Sequence, residues 1–177
     1  IDTNYKMQMK EILSQIDVLN EDFNGYNADA INTPSVFASA AGSSGIHFCL
    51  ATTDPNGNPT SGINRVQSTT TSFLQNDGVK SSSTGGVDAW DPNTYFNIWV
   101  CNLSGGLLGY AQFPGGAIST SGVVILYSSF GRTGTVNPPY NKGRIATHEI
   151  AHCFDLRHIW GDANCGNDFV SDTPVQQ

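Results

Sequence analysis

Near the start of the chain apolar residues recur at three- and four-residue intervals: Met9, Ile12, Leu13, Ile16, Leu19 and Phe23. Lys10, Glu11, Gln15 and Asp17 fill the other side. That period predicts an amphipathic helix over about residues 5–22, its apolar stripe turned to the core, ended by Asn24-Gly25. The pattern then changes to short runs of β-branched and aromatic residues divided by turn residues, the signature of strands. Residues 45–52 (GIHFCLAT) and 62–68 (GINRVQS) predict two strands joined by a turn that carries Asp54-Pro55-Asn56-Gly57. Residues 80–87 (KSSSTGGV) read as a flexible loop, 94–100 (TYFNIWV) as a buried strand, and 123–127 (VVILY) as another. Between them, 105–114 (GGLLGYAQFP) reads as a strand punctuated by Gly109 and stopped by Pro114, where proline suits an edge. An edge strand has unpaired backbone groups, which either invite aggregation or hold an extended peptide by strand addition. A Gly/Pro loop from 130 to 143 leads into a last helix. No internal repeat or linker interrupts this order, so one domain is expected.

A length of 177 residues suits one domain able to bury a core without disulfide or metal staples. Only 13% of residues are charged against 38% apolar, and Gly, Ser, Thr and Asn are frequent, which fits a loop-rich globular protein and leans towards an extracellular one. The net charge of -7, with 8 scattered Lys and Arg, excludes nucleic acid as a partner, because phosphate contacts need clustered cations. The longest apolar runs, such as 122–126 (GVVIL), fall far short of the roughly 18 to 20 residues that cross a bilayer, so no membrane partner is expected. Residues 1–4 (IDTN) lack the basic start and apolar middle of a signal peptide, and any export signal is expected to have been removed. Four cysteines, Cys49, Cys101, Cys153 and Cys165, match neither CxxC nor a zinc-finger pattern. For Cys49 and Cys101, buried free thiols and a disulfide are both open readings. Asn102-Leu103-Ser104 matches a glycosylation sequon inside a predicted strand and reads as a chance match.

Candidate chemistry concentrates in 147–158 (THEIAHCFDLRH), which holds three of the four histidines. On a helix the four-residue spacing of His148 and His152 puts both imidazoles on one face, within reach of one metal ion. From the position after the first ligand, Glu149 can approach a water on that metal without binding the metal itself. Zinc lowers the pKa of such a water to about 7, and a neighbouring carboxylate can accept its proton as it attacks a carbonyl. In a continuous helix His158 would lie about 9 Å further along the axis and point about 120° away. The chain must therefore leave the helix between His152 and His158, through a residue of positive φ. Glycine is the easiest choice there, but this chain has Asp155, which enters the left-handed region at modest cost. Three histidines leave one position open, as catalytic zinc sites do. His47, with no ligand neighbour at suitable spacing, reads as a strand histidine rather than a ligand.

HExxHxxGxxH is the zinc signature of the metzincin metalloproteases. HEIAHCFDLRHIWGD with the downstream DFVSDTP resembles the pappalysin family, in particular its secreted bacterial, cytophagalysin-like members. SQIDVLNEDF, NTPSVFAS, GINRV, NIWVCNL and LLGYAQFP extend that resemblance over nearly the whole chain. The resemblance implies an α/β metzincin-like catalytic domain: a twisted, mostly parallel mixed sheet with an antiparallel edge strand, a backing helix and an active-site helix. It implies His148, His152 and His158 as zinc ligands and Glu149 as the general base. Leu108, Gly109, Tyr110 and Ala111 would form the edge strand that holds the substrate backbone. It also implies a calcium site after the zinc motif, for which Asp162, Asp168, Asp172 and Thr173 offer hard oxygen ligands; solvated turn carboxylates explain the same residues.

Two departures stand out. The family carries a methionine turn downstream of the third histidine, yet the only methionines here are Met7 and Met9. Family domains also begin with an apolar strand, which residues 1–4 are too short and polar to supply. The expectation is thus a partial catalytic domain over 1–177, without the first strand and the Met-turn subdomain, whose remainder lies in a longer chain or a cleaved partner piece. Cys165 would have its partner in that remainder, and Cys153 would pack as a free thiol under the helix. The expected function is a secreted zinc endopeptidase acting on protein or peptide substrates. Two rivals remain: a non-catalytic, zinc-containing peptide-binding module, favoured by the lost Met-turn, and a zinc peptidase in which a carboxylate such as Asp162 replaces His158 as ligand.

Overall fold

The architecture is set by a central strand that is apolar on both faces. In the computed structural model, which describes residues 7–171 and 173, β3 (Val123–Leu126) lies between β1 (Ile98–Cys101), parallel to it, and β2 (Gly109–Ala111), antiparallel to it. A strand covered on both faces has no polar side to show, and Val123, Val124 and Ile125 are fully buried. Their side chains alternate. Val123 and Ile125 join Leu19, Phe130, Ala146 and Ile150 in the core under the helices, while Val124 joins Phe73, Val79, Trp99, Cys101 and Tyr110 on the far side. The sheet is therefore mixed with β2 at its edge, and two helices, α1 (Met9–Phe23) and α2 (Arg144–Cys153), pack on one face.

The first helix departs from its predicted pattern. Its first turn starts at Met9 after the N-cap Gln8, and the predicted start at Tyr5 lies outside the described residues. Asn24 caps its end and Gly25 follows at φ 69°, as expected. Met9 and Leu13, assigned to the core stripe, are exposed, whereas Glu11 and Gln15, assigned to the polar side, are buried together with Ser14. The buried face is the 11, 14, 15, 18, 19 row, polar at its first three positions and apolar at its last two. The polar positions grip the Gly/Pro loop ahead of α2. Gln15 accepts from the Gly131 N–H at 2.7 Å and donates to the Gly143 carbonyl at 3.0 Å. Ser14 Oγ accepts from Arg132 N–H, and Glu11 from Thr135 N–H and Gln8 N–H.

The two strands predicted over 45–52 and 62–68 do not form. A single antiparallel bridge, Thr53 to Pro59, closes the Asp54-Pro55-Asn56-Gly57 turn. The extended run before it is held by side chains. Asn20 of α1 accepts from the Phe48 N–H and donates to the Phe48 carbonyl, pairing as a neighbouring strand would, and Asn24 donates to the Ile46 carbonyl. The other strands are shorter than predicted because pairing covers only the stretch opposite β3. The segment expected to be a flexible loop contains 3-10 turns at Gly78–Lys80 and Ser82–Thr84, anchored by a buried lysine. Lys80 Nζ pairs with Asp77 at 2.9 Å, donates to the Thr120 carbonyl at 2.7 Å and lies over the rings of Tyr110 and Trp99. No two of the four cysteines pair with each other, and with Cys49 exposed and Cys101 buried the disulfide between those two does not form.

Candidate metal centre

Helix α2 is fastened at its start by the end of α1. Arg144 pairs with Asp22 at 2.8 Å and with Asp29 at 2.7 Å, and Thr147 Oγ1 donates to the same Asp22 carboxylate at 2.7 Å. One turn further, Ile150 is fully buried beneath the sheet. The opposite face of α2 presents His148 and His152.

The helix ends where the spacing of the histidines requires. Asp155 has φ 68°, its N–H bonds the His152 carbonyl, and the Leu156 N–H reaches back to the Ala151 carbonyl. This pair of bonds is the Schellman closure, in which a left-handed residue reverses the chain and satisfies two helix-end carbonyls. The reversal brings His158 back to the face it would otherwise have left. The Nε2 atoms of His148 and His152 are 3.0 Å apart, those of His148 and His158 are 3.2 Å apart, and all three ligand atoms lie within 4.8 Å of one another.

The other ring nitrogens orient the set. His152 Nδ1 lies 2.7 Å from the Leu156 carbonyl, which can only accept, so the proton is on Nδ1 and the Nε2 lone pair faces its partners. His158 Nδ1 donates likewise to Asp162 at 2.6 Å. The Trp160 ring stacks on His158 with centroids 4.4 Å apart and planes 6° apart, and Phe113 lies 5.1 Å from the His152 ring. Burial, together with the adjacent His152 and His158, holds His148 below the ordinary histidine pKa, which favours the neutral, ligating form. Three converging lone pairs repel one another unless a cation sits between them. Tetrahedral zinc at about 2.0–2.1 Å from each nitrogen requires nitrogens roughly 3.3 Å apart, so the donor set fits that ion.

Glu149 is nearly buried, and that burial pushes its carboxyl up to about 7, against a smaller downward pull from His158. Its neighbour across the cleft is Gly109 of the edge strand: a β-carbon there would lie 2.9 Å from Glu149 Cγ and 3.0 Å from the Val124 carbonyl. Leu108 continues the pairing, its carbonyl accepting from Leu126 N–H at 2.8 Å. Tyr110 points into the far core, and Ala111 faces the helices. Gly109 and Ala111 thus face the helix side and Tyr110 the opposite one, and the outer edge of β2 is free of any ladder among the described residues.

Of the residues considered for calcium, Asp162 and Asp168 each have a hydrogen-bond partner of their own. Asp162 is turned to His158. Asp168 is buried, accepts from the Val170 N–H at 3.1 Å, and shares a cavity of about 370 Å³ with Thr173. Asp172 lies outside the described residues. Among the described residues the only group of three candidate metal ligands is the histidine triad. His47 is exposed and stands apart from it. Sequence reasoning missed the orienting roles of Asp162, Trp160 and the Leu156 carbonyl. For Asp162 a signal existed: it stands four residues after His158, the same interval that relates the first two histidines.

The chain is similar to known metalloproteases in sequence and in fold. The family described as pregnancy-associated plasma protein-A matches residues 79–177. Mature mirolysin of Tannerella forsythia, solved in complex with a cleaved peptide, superposes with a TM-score of 0.93 at 53% identity, over 96% of this chain and 66% of that one. Mirolysin in complex with a small compound gives the same TM-score at 52% identity, over 97% and 67%. An extracellular metalloprotease of Podospora anserina is 36% identical over 163 residues, 86% of this chain and 50% of its own length. Another, from Arthroderma otae, is 41% identical over 55% of this chain and 36% of its own. The chain thus spans about a third to a half of the curated relatives it matches. With mirolysin's metzincin fold and a family match over more than half its length, the chain belongs to the pappalysin family of metalloproteases.

Proposed function

We propose that this chain forms the catalytic region of an extracellular zinc endopeptidase acting on peptide bonds of protein or peptide substrates. The observation that carries the reading is the convergence of three histidine Nε2 atoms, two of them oriented by partners on Nδ1, beside a nearly buried glutamate. Zinc, when bound, supplies Lewis acidity that makes water nucleophilic near neutral pH. His148, His152 and His158 would hold it. Glu149 would take the proton of the attacking water and return it to the leaving amine, from a place fixed by the close backbone of Gly109. The free edge of β2 would receive the substrate as an added strand, its N–H and carbonyl groups replacing those of water. The extracellular setting rests on the names of the relatives.

Replacing Glu149 by Ala should leave zinc content unchanged and lower kcat/KM on a quenched peptide by at least about a hundredfold. Undiminished turnover would sink the mechanism. Zinc and peptide bound by the wild type without turnover would establish the binding-module reading instead. A calcium site along the cavity shared by Asp168 and Thr173 is proposed as an extension, to be tested by calorimetric titration of Ca²⁺ into the wild type and Asp168→Asn.

A further inference from the structure

Arg157 lies between the second and third histidines, directly before His158, and its side chain is exposed. Its guanidinium is over the Phe113 ring at 5.8 Å and the Phe169 ring at 5.3 Å. Arg132, Arg144 and Lys80 are all tied up in ion pairs, but Arg157 makes none among the described residues. Aromatic faces hold a guanidinium in place while leaving its edge donors free, and those donors match a carboxylate in a two-point fork.

Phe113 fixes where that cation falls along a bound peptide. It lies two residues past the end of β2, and its ring packs on His152. Gly109, at the other end of β2, touches Glu149 and so marks the level of the scissile bond. A peptide adding to the free edge in the more stable antiparallel sense runs against β2, so the part that passes Phe113 and Arg157 is N-terminal to the bond. At about 3.3 Å per residue, the offset corresponds to roughly two to four residues.

Given the peptidase reading above, we propose that Arg157, held by Phe113 and Phe169, is a specificity-determining residue that recruits substrates with an acidic side chain two to four residues before the cleaved bond. A purely structural Arg157, neutralising the carbonyl end of α2, would affect all peptides alike. The test compares quenched peptides that carry Glu, Gln or Lys at each of those positions, with wild type and Arg157→Glu in the full chain. The wild type is expected to favour Glu over Lys by about five- to tenfold in kcat/KM, and Arg157→Glu to invert that ratio. An equal Glu-to-Lys ratio in the two proteins, or an acidic preference only after the bond, overturns the proposal. The same ratio read as peptide affinity on the Glu149→Ala background separates the two ideas. A charge preference there, with no turnover by the wild type, keeps the subsite and removes the peptidase; no preference there removes the subsite alone.

Discussion

Gly109 and Glu149 come so close that the β-carbon of any other residue at position 109 would stand 2.9 Å from Glu149 Cγ. Val124 O and Ile145 Cγ2 close off the other directions at 3.0 and 3.1 Å. Gly109→Ala should therefore displace Glu149 rather than find room beside it. We expect a stability loss of about 1–3 kcal/mol, a large drop in kcat, and full zinc content. Thermal melts, peptide turnover and metal analysis on one preparation check this, and an active, unshifted variant would contradict the packing.

Asp155 supplies the positive φ that turns His158 back to the triad. Glycine takes this conformation without strain, so Asp155→Gly should match or slightly exceed the wild type in melting temperature and zinc affinity. Asp155→Val, with a branched β-carbon at φ 68°, should lose affinity for zinc and about 1–2 kcal/mol of stability. Equal zinc affinity for the valine and glycine variants would show that the turn does not govern ligand placement.

Asp162 holds His158 through Nδ1 and stands outside the group of three converging histidine nitrogens. Asp162→Ala should weaken zinc binding by about ten- to a hundredfold, the usual cost of losing such a partner, whereas His158→Ala should cost far more. The reverse order in a chelator competition assay would favour the reading in which Asp162 is the third ligand.

A pH dependence follows from Glu11. Burial alone would raise its carboxyl, but hydrogen bonds from the Gln8 and Thr135 N–H groups outweigh burial and hold it below the ordinary value. A lowered folded-state pKa stabilises the fold above the unfolded value of about 4.3, and that contribution disappears as pH falls through the folded value. Glu11→Gln should melt earlier than wild type at pH 7, and the gap should narrow below about pH 4. Parallel melting curves from pH 7 to pH 3 would rule this out.

How much of the molecule could be read in advance depends on how far apart the partners lie in sequence. The triad, the break at Asp155 and the buried run of β3 are local: spacing, one dihedral and one unbroken apolar stretch determine them. Glu11 and Gln15 looked solvent-facing because what buries them is a loop more than a hundred residues downstream. Residues 45–52 carry strand-like composition, but the Phe48 N–H and carbonyl pair with the amide of Asn20 and the Ile46 carbonyl with that of Asn24, and no ladder forms. Composition reports which backbone groups want partners, and cannot report that a helix side chain will supply them.

Gln15 shows what such distant partnerships mean for variation. It accepts a hydrogen bond from one end of the 131–143 loop and donates one to the other, so it needs a donor and an acceptor on a single three-carbon arm. Gln15→Glu keeps the size but loses the donor, Gln15→Lys loses the acceptor, and Gln15→Met loses the donor and keeps only a weak sulfur acceptor. Only an amide of that length serves both ends, so a helix residue remote from the histidines is as narrowly restricted in substitution as a ligand, although it touches no part of the chemistry.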